Sequence, residues 1–311
     1  MLLISNIDKK NHFTSDLAKA FEGFDKRNPE MIVHTIEEMY KQRIYGIIAG
    51  HEDLNDHKSI REDELFKTIL GKDIELASPS TLCRLENKSV REICLRMSET
   101  IVEDFIKDLK KRPEELVLDF DATDDPVHGN QEGKFPHGYY DNYCFLPLYV
   151  FCNRKLLVSY LRPANIDAAF HGWAILSLLV KRFRQQWPDV RIIFRGDGGF
   201  CRHKMLSWCE RNNVEYIIGI PSNKRLERIT HIEARVGGKY NRTKKKVKLY
   251  TEVYYQAQTW NRKRKIIVKA EHNEKGKNTR YIITNLKGKT KELYENIYCA
   301  RGDMGNRIKE Q

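Results

Sequence analysis

Long apolar runs are missing from this chain of 311 residues. None approaches the roughly 20 residues a bilayer-spanning helix requires. The opening stretch MLLISNIDKKNHF has no charged region ahead of its short apolar segment and no small-residue cleavage site, so it does not read as a secretory leader. The expectation is a cytoplasmic chain with no membrane partner. Paired cysteines are missing too. Cys83, Cys94, Cys144, Cys152, Cys201, Cys209 and Cys299 contain no Cys-x-x-Cys, and an odd count without metal spacing argues against a disulfide framework or a zinc site. Cys201 and His203 offer two ligands, but no partner pair follows at suitable spacing. The cysteines are expected to be buried or neutral, as free Cys often packs as a small hydrophobe. Internal repeats and low-complexity tracts are absent as well.

One further absence is informative. Between Pro221 and Lys289 there is no Asp, and only five Glu face 20 Lys or Arg, a local net charge of +15. The whole chain carries +12, so the remainder sums to −3. A basic excess confined to one segment points to a localised polyanion-binding surface. The plain alternative is a solvated lysine-rich sheet. Interleaved aromatics, Tyr240, Tyr250, Tyr254, Tyr255 and Trp260, favour DNA. The clusters Lys244-Lys245-Lys246 and Arg262-Lys263-Arg264 are the candidate contacts.

The 41% hydrophobic and 32% charged residues present are ordinary for a globular protein. Residues 1–112 read as helical. MIVHTIEEMYKQRIYGIIAG has apolar residues at helical spacing and stops at Gly50. After Ser78-Pro79-Ser80, with Ser80 as the expected N-cap, a second helical unit places Thr81, Arg84 and Lys88 on one exposed face. It is either a DNA-reading element or a small helical domain that touches no DNA. From 113 to 223 the pattern turns to strands and helices. ELVLDFDAT, CFLPLYVF and KLLVSYLR are followed by an amphipathic helix over 166–186, the strand VRIIF, the helix HKMLSWCERNN and the strand EYIIGI. Three strands in meander, then helix, strand, helix and strand, is the order of a ribonuclease-H-like α/β core, a mixed sheet with flanking helices. Residues 224–286 read as a basic β-rich insertion of hairpins. A helix from Thr290, within 287–311, completes the core.

Residues two apart on a strand share a face, so Asp119 and Asp121 project together near a strand end. Asp197 stands where VRIIF stops, among glycines that permit a tight turn. With the first and fourth strands as neighbours, Asp121 and Asp197 face each other as hard oxygen ligands suited to Mg²⁺, which in pairs assists phosphodiester cleavage. Spacing alone leaves a second reading open, in which both are loop caps.

These residues carry a resemblance. QRIYGIIAGHEDLNDHKSIRED, STLCRLENK, LVLDFDATDDPVHGNQEG, FRGDGGFC and YCARGDMGNRIKEQ together resemble bacterial insertion-sequence transposases of the DDE class, in the branch called IS-thirteen-eighty, over essentially the whole chain. The resemblance implies Asp121 and Asp197 as the first two catalytic, metal-holding carboxylates, with Mg²⁺ or Mn²⁺ as cofactor. Asp119, off the catalytic position, becomes a neighbour that tunes the site. The family's third carboxylate lies in the pattern Tyr-x₂-Arg-x₃-Glu-x₆-Lys. Here Tyr298 and Arg301, implied contacts to the DNA backbone, lead to Gly305, and the Lys would fall one position past the last residue. Trp260 is the candidate to stack on a displaced base. Glu310 would lie about 140° round a helix from Gly305 and about 7.5 Å along, and Asp303 about 200° round, so neither replaces the Glu.

The resemblance implies a cut-and-paste transposase acting on element ends and target DNA, as a homodimer in a synaptic complex if full length. Family members extend further at both ends, so this chain is expected to be a truncated or degenerate copy with little or no catalysis. The alternative is a catalytically dead DNA-binding fragment. A stand-alone nuclease is disfavoured by the YCAR stretch after a long β insertion.

Overall fold

Capping chemistry divides the first hundred residues into helices. Thr35 accepts from Glu38 N while the Glu38 carboxylate accepts from Thr35 N, a reciprocal cap that starts Ile36–Ile48. The cap of the next unit is Ser78 rather than Ser80. Pro79 occupies the first helical position, where its missing N–H costs nothing, and Ser78 Oγ accepts from Thr81 N at 3.3 Å to open Pro79–Asn87. Of the expected exposed face, Arg84 and Lys88 are exposed and Thr81 is half-buried. A break at Lys88 separates this helix from Arg91–Asp108. Ala20, Phe21, Met39, Ala77, Leu82, Leu85 and Ile93 form one apolar core there.

The structure, a computed structural model, describes residues 1–139 and 141–310. Tyr140 and Gln311, the last residue of the expected C-terminal helix, lie outside the described residues. Met1–Asp108 forms one compact unit and the chain from Leu109 a second.

The second unit is built on one mixed sheet. Its strands are β1 (Glu115–Ala122), β2 (Leu148–Cys152), β3 (Lys155–Tyr160), β4 (Arg191–Gly196), β5 (Glu215–Ile220), β6 (Val247–Tyr255), β7 (Arg264–Asn273) and β8 (Gly276–Thr284). They lie in the order β3-β2-β1-β4-β5-β8-β7-β6. β2 is antiparallel to β1, whereas β4 is parallel to β1 and β5 parallel to β4. Helix α1 (Gly172–Gln186) crosses between β3 and β4, and α2 (His203–Arg211) between β4 and β5. The first of these starts six residues later than the apolar spacing predicts, behind His171 in a left-handed conformation. A small three-stranded sheet, Asp125–Pro126, Phe135–His137 and Asn142–Phe145, follows β1.

The strands expected over 224–286 form no sheet of their own, because β8 pairs antiparallel with β5 and carries β7 and β6 into the same sheet. Two helices that the hairpin reading lacks, α3 (Lys224–Thr230) and α4 (Ile232–Thr243), precede them. They bury only Leu226, Thr230, Ile232, Val236 and Gly237, too sparse an apolar set to stand out among the charges. The C-terminal stretch is helical but irregular: a short α-turn at Thr290–Glu292, a π-helical turn at Leu293–Tyr298, a 3₁₀ turn at Cys299–Arg301, and α-helix over Gly302–Ile308.

Ile193, Ile217, Ile267, Ile282, Leu286, Leu293 and Tyr294 form one buried cluster, with Val117, Ile297 and Tyr298 packed on it, so the C-terminal turns cover one sheet face. On the alternate residues, Phe120 meets Phe194 and Phe200 edge to face at 5.0 and 6.0 Å. Under the C-terminal turns lies one charged pair. Asp119 and Arg195, opposite each other in the β1–β4 register, have side chains only 4% and 10% exposed. Both Asp119 oxygens accept from Arg195, one from Nη2 at 2.6 Å and the other from Nε. Arg195 Nη1 donates to the Ile297 carbonyl at 2.5 Å.

Breaking such a pair on one side leaves a buried charge uncompensated, at a cost of about 3–5 kcal/mol. Arg195→Met and Asp119→Leu should each lower the stability measured by urea unfolding on that scale. The double variant should recover most of the loss. A double variant as unstable as the sum of the singles would show that the pair is not coupled.

Candidate active site

In parallel strands the carboxyl ends come side by side. Phe120 is opposite Gly196 in the β1–β4 register, so Asp121 is level with Asp197, the first residue past β4. Alternation turns Val117, Asp119 and Asp121 to the face that carries the C-terminal turns. Asp197 is extended, and its Oδ1 accepts from Gly199 N at 2.8 Å, capping the turn Gly198–Phe200. It is thus a loop cap, while its side chain stays 44% exposed. At Gly199 an added Cβ would stand 3.0 Å from Asp197 Oδ1 and 3.3 Å from Ala168 Cβ, so a side chain there would crowd the carboxylate.

Arg301 joins the two aspartates. Its Nη2 lies 3.2 Å from Asp121 Oδ1 and 3.9 Å from Asp197 Oδ2. The same oxygen of Asp121 also accepts from Ala122 N at 3.1 Å. Because a single nitrogen makes both contacts, the carboxylates are within a few ångströms of a common point. Burial holds the Asp121 carboxyl above its ordinary value; the Arg301 charge opposes this and the like charge of Asp197 adds to it. Burial likewise raises the Tyr298 hydroxyl, against the pull of Arg301.

Sequence reasoning missed Gly219. A Cβ at this position in β5 would stand 2.8 Å from Gly198 N and 2.9 Å from Tyr298 Oη. The missing side chain lets the Asp197 turn and the Tyr298 ring approach the strand together. The available signal was a lone glycine inside the buried strand EYIIGI, which marks a close backbone approach. Asp119, expected to tune the site, is engaged by Arg195.

Position 305 lies four residues after Arg301, on the same helix side one turn on, and a Cβ at Gly305 would meet nothing within 4 Å. Asp303 and Glu310 are exposed. Among the described residues no three His, Cys, Asp or Glu converge on one point.

The candidate DNA contacts divide. Arg264 is only 3% exposed; its Nε donates to Glu210 Oε1 at 2.7 Å and its Nη2 to Glu210 Oε2 at 3.0 Å. Trp260, 9% exposed, packs edge-on to Tyr255 and against the Arg264 guanidinium at 5.2 Å. Both are taken up by the core. Lys244, Lys245, Lys246, Arg262 and Lys263 are exposed, and Arg262 meets Glu210 at 3.2 Å. They do not form one patch. Val247 pairs with His272 and Tyr255 with Arg264, so the two clusters flank opposite ends of a nine-residue strand, about 30 Å apart. Following the register through β8 to β5, Lys244–Lys246 fall at the edge where β1 and β4 end, and Arg262 and Lys263 at the far edge.

A folded-state pKa above 3.8 means that ionising Asp121 costs the native state stability as pH rises through the interval above that value. The cost grows as pH rises from 3.8 toward neutrality. Asp121→Asn should therefore raise the melting temperature of the metal-free protein at pH 7, with the gain vanishing as pH falls below 3.8. A variant that melts lower than the parent at pH 7 would contradict this.

The family model described as transposase DDE domain group 1 matches residues 1–311. Among solved structures, the chain is similar to piggyBac transposase in a synaptic complex with hairpin DNA, at 13% identity and a TM-score of 0.47, over 96% of this chain and 65% of that one. It therefore spans under two thirds of that protein's length. A more distant likeness, at 11% identity and a TM-score of 0.27, is to Marinitoga piezophila Argonaute in complex with 5′ OH guide RNA and target DNA, over 69% of this chain and 31% of that one. No curated protein matches.

Proposed function

The chain belongs to the transposase DDE domain group 1 family, and on that premise we propose that it acts on the DNA ends of an insertion sequence of the IS-thirteen-eighty branch. Asp121 and Asp197 are its metal-holding carboxylates. The observation that carries this reading is their convergence, from the ends of neighbouring parallel strands, on one cationic nitrogen. The order β3-β2-β1-β4-β5, with β2 antiparallel to the rest and helices in both crossovers, supports a ribonuclease-H-like core.

The residues present fit a divalent ion. Both ligands are hard carboxylate oxygens, the donors that Mg²⁺ and Mn²⁺ prefer, and they already share a positive group. A bound ion would supply an activated oxygen nucleophile and charge neutralisation at the phosphate. Arg301 and Tyr298 lie where a DNA strand would approach the carboxylates, and Lys244–Lys246 extend positive charge along the same sheet edge. Target DNA and a second copy of the chain in a synaptic complex belong to the same reading.

Gly305 sets the limit. Two carboxylates bring two negative charges against four positive ones for a pair of Mg²⁺ ions, so the second ion is weakly held. This favours a second reading, in which the protein grips DNA and cleaves it poorly.

A nicking assay on element-end DNA with Mn²⁺ separates the two readings. Gly305→Glu should nick at least about tenfold faster than the parent, the scale of about 1.4 kcal/mol of transition-state stabilisation. Equal rates would refute the role given to position 305. On duplex DNA, Lys244→Glu/Lys245→Glu should weaken binding and flatten the salt dependence by about two phosphate contacts. Arg262→Glu/Lys263→Glu should change it little, and the reverse ranking would move the DNA surface to the far edge.

A further inference from the structure

Two buried arginines of the sheet each close a two-pronged contact with one carboxylate. Arg195 does so with Asp119 and Arg264 with Glu210. Arg301 does neither. Its Nη2 is divided between two carboxylates at 3.2 and 3.9 Å, longer than the roughly 2.7–2.9 Å of a charge-assisted bond. Its Nε is buried with no hydrogen-bond partner, as is Arg264 Nη1, so it is the long, divided contact that sets Arg301 apart. The side chain balances charge without completing its geometry, as a replaceable cation would. Just beyond it the helix is open at two positions, since a Cβ at Gly302 or Gly305 would meet nothing within 4 Å, while Met304 between them is buried.

We infer that Arg301 is the resident counter-cation of the Asp121–Asp197 pair, and that it exchanges with a divalent ion and moves to a DNA phosphate when the two arrive. The inference rests on the metal role proposed above. Two positive groups cannot share the space between the carboxylates, so in the free protein the guanidinium competes with the ion. A phosphate drawing Arg301 away removes that competition and also supplies the acceptor its buried Nε lacks. Metal and DNA then each tighten the binding of the other by the same factor. The free protein holds metal weakly, and the site assembles on DNA.

Calorimetric titration of Mn²⁺ tests this without any activity measurement. In the native chain, a short duplex should tighten Mn²⁺ binding about tenfold, within the usual range of such coupling. Without DNA, Arg301→Met and Arg301→Gln should already show the tighter binding, and DNA should add little to it. Asp121→Asn/Asp197→Asn should lose it in every condition. If the double Asn variant loses Mn²⁺ while DNA leaves the native affinity unchanged, or the Arg301 variants bind no tighter than the parent, the exchange is wrong and the metal site stands. If the double Asn variant binds Mn²⁺ as the parent does, the metal reading fails, and the exchange fails with it.

Discussion

A buried carboxylate and a buried guanidinium, Asp119 and Arg195, hold together the three elements from which the site is made. The pair spans β1 and β4 at one register position and reaches up to the Ile297 carbonyl of the C-terminal π-helical turn. Each charge is tolerable only while the other is in place, so a slip of either strand or a lifting of the turn would strand one of them. Such pairs contribute little net stability compared with apolar residues of the same size. Here the benefit is placement. Tyr298 directly follows the pinned carbonyl and Arg301 lies four residues beyond it, which delivers the phenol and the guanidinium to the ends of the two strands.

From that placement the electrostatics of the site follow. Asp121 and Asp197 are level because their strands are parallel, and their like charges repel across the space that the Arg301 guanidinium enters. Asp121 is raised by burial and by its neighbour's charge, so the fold carries an unfavourable contact that a cation or a proton relieves. Arg301 relieves part of it. Close packing sharpens the arrangement: Gly219 leaves the space that the Asp197 turn and Tyr298 occupy, and Gly199 keeps the Asp197 carboxylate clear.

Much of this was legible in the sequence, because it rests on period and punctuation. Alternation in ELVLDFDA and the stop of VRIIF at Arg195-Gly196-Asp197 pointed to the strands and to Asp121 and Asp197, whereas Arg301 was pointed to only by the family resemblance. What stayed hidden depended on tertiary pairing. Arg264 and Trp260 look like a basic and an aromatic surface residue until Glu210 of α2 engages the arginine and the tryptophan packs on both Arg264 and Tyr255. The separation of the two lysine- and arginine-rich clusters requires the antiparallel register of β6 and β7, and the merging of the insertion into the main sheet requires the β8–β5 pairing. Helices α3 and α4 carried too few apolar residues to show against the charge around them.

The basic insertion thus does two different jobs by position. Its sheet strands extend the core, and its exposed lysines before β6 extend positive charge along the edge where the carboxylates lie. The claim at the centre of this account is that Asp121 and Asp197 jointly hold a divalent ion in the place Arg301 now fills. Anomalous scattering from crystals grown with Mn²⁺ and a short duplex addresses it directly. The account predicts a Mn²⁺ peak within about 2.5 Å of an oxygen of each aspartate, the range for hard-oxygen ligation, with the Arg301 guanidinium turned to a phosphate. A peak bound elsewhere, with Arg301 still between the aspartates, would contradict it.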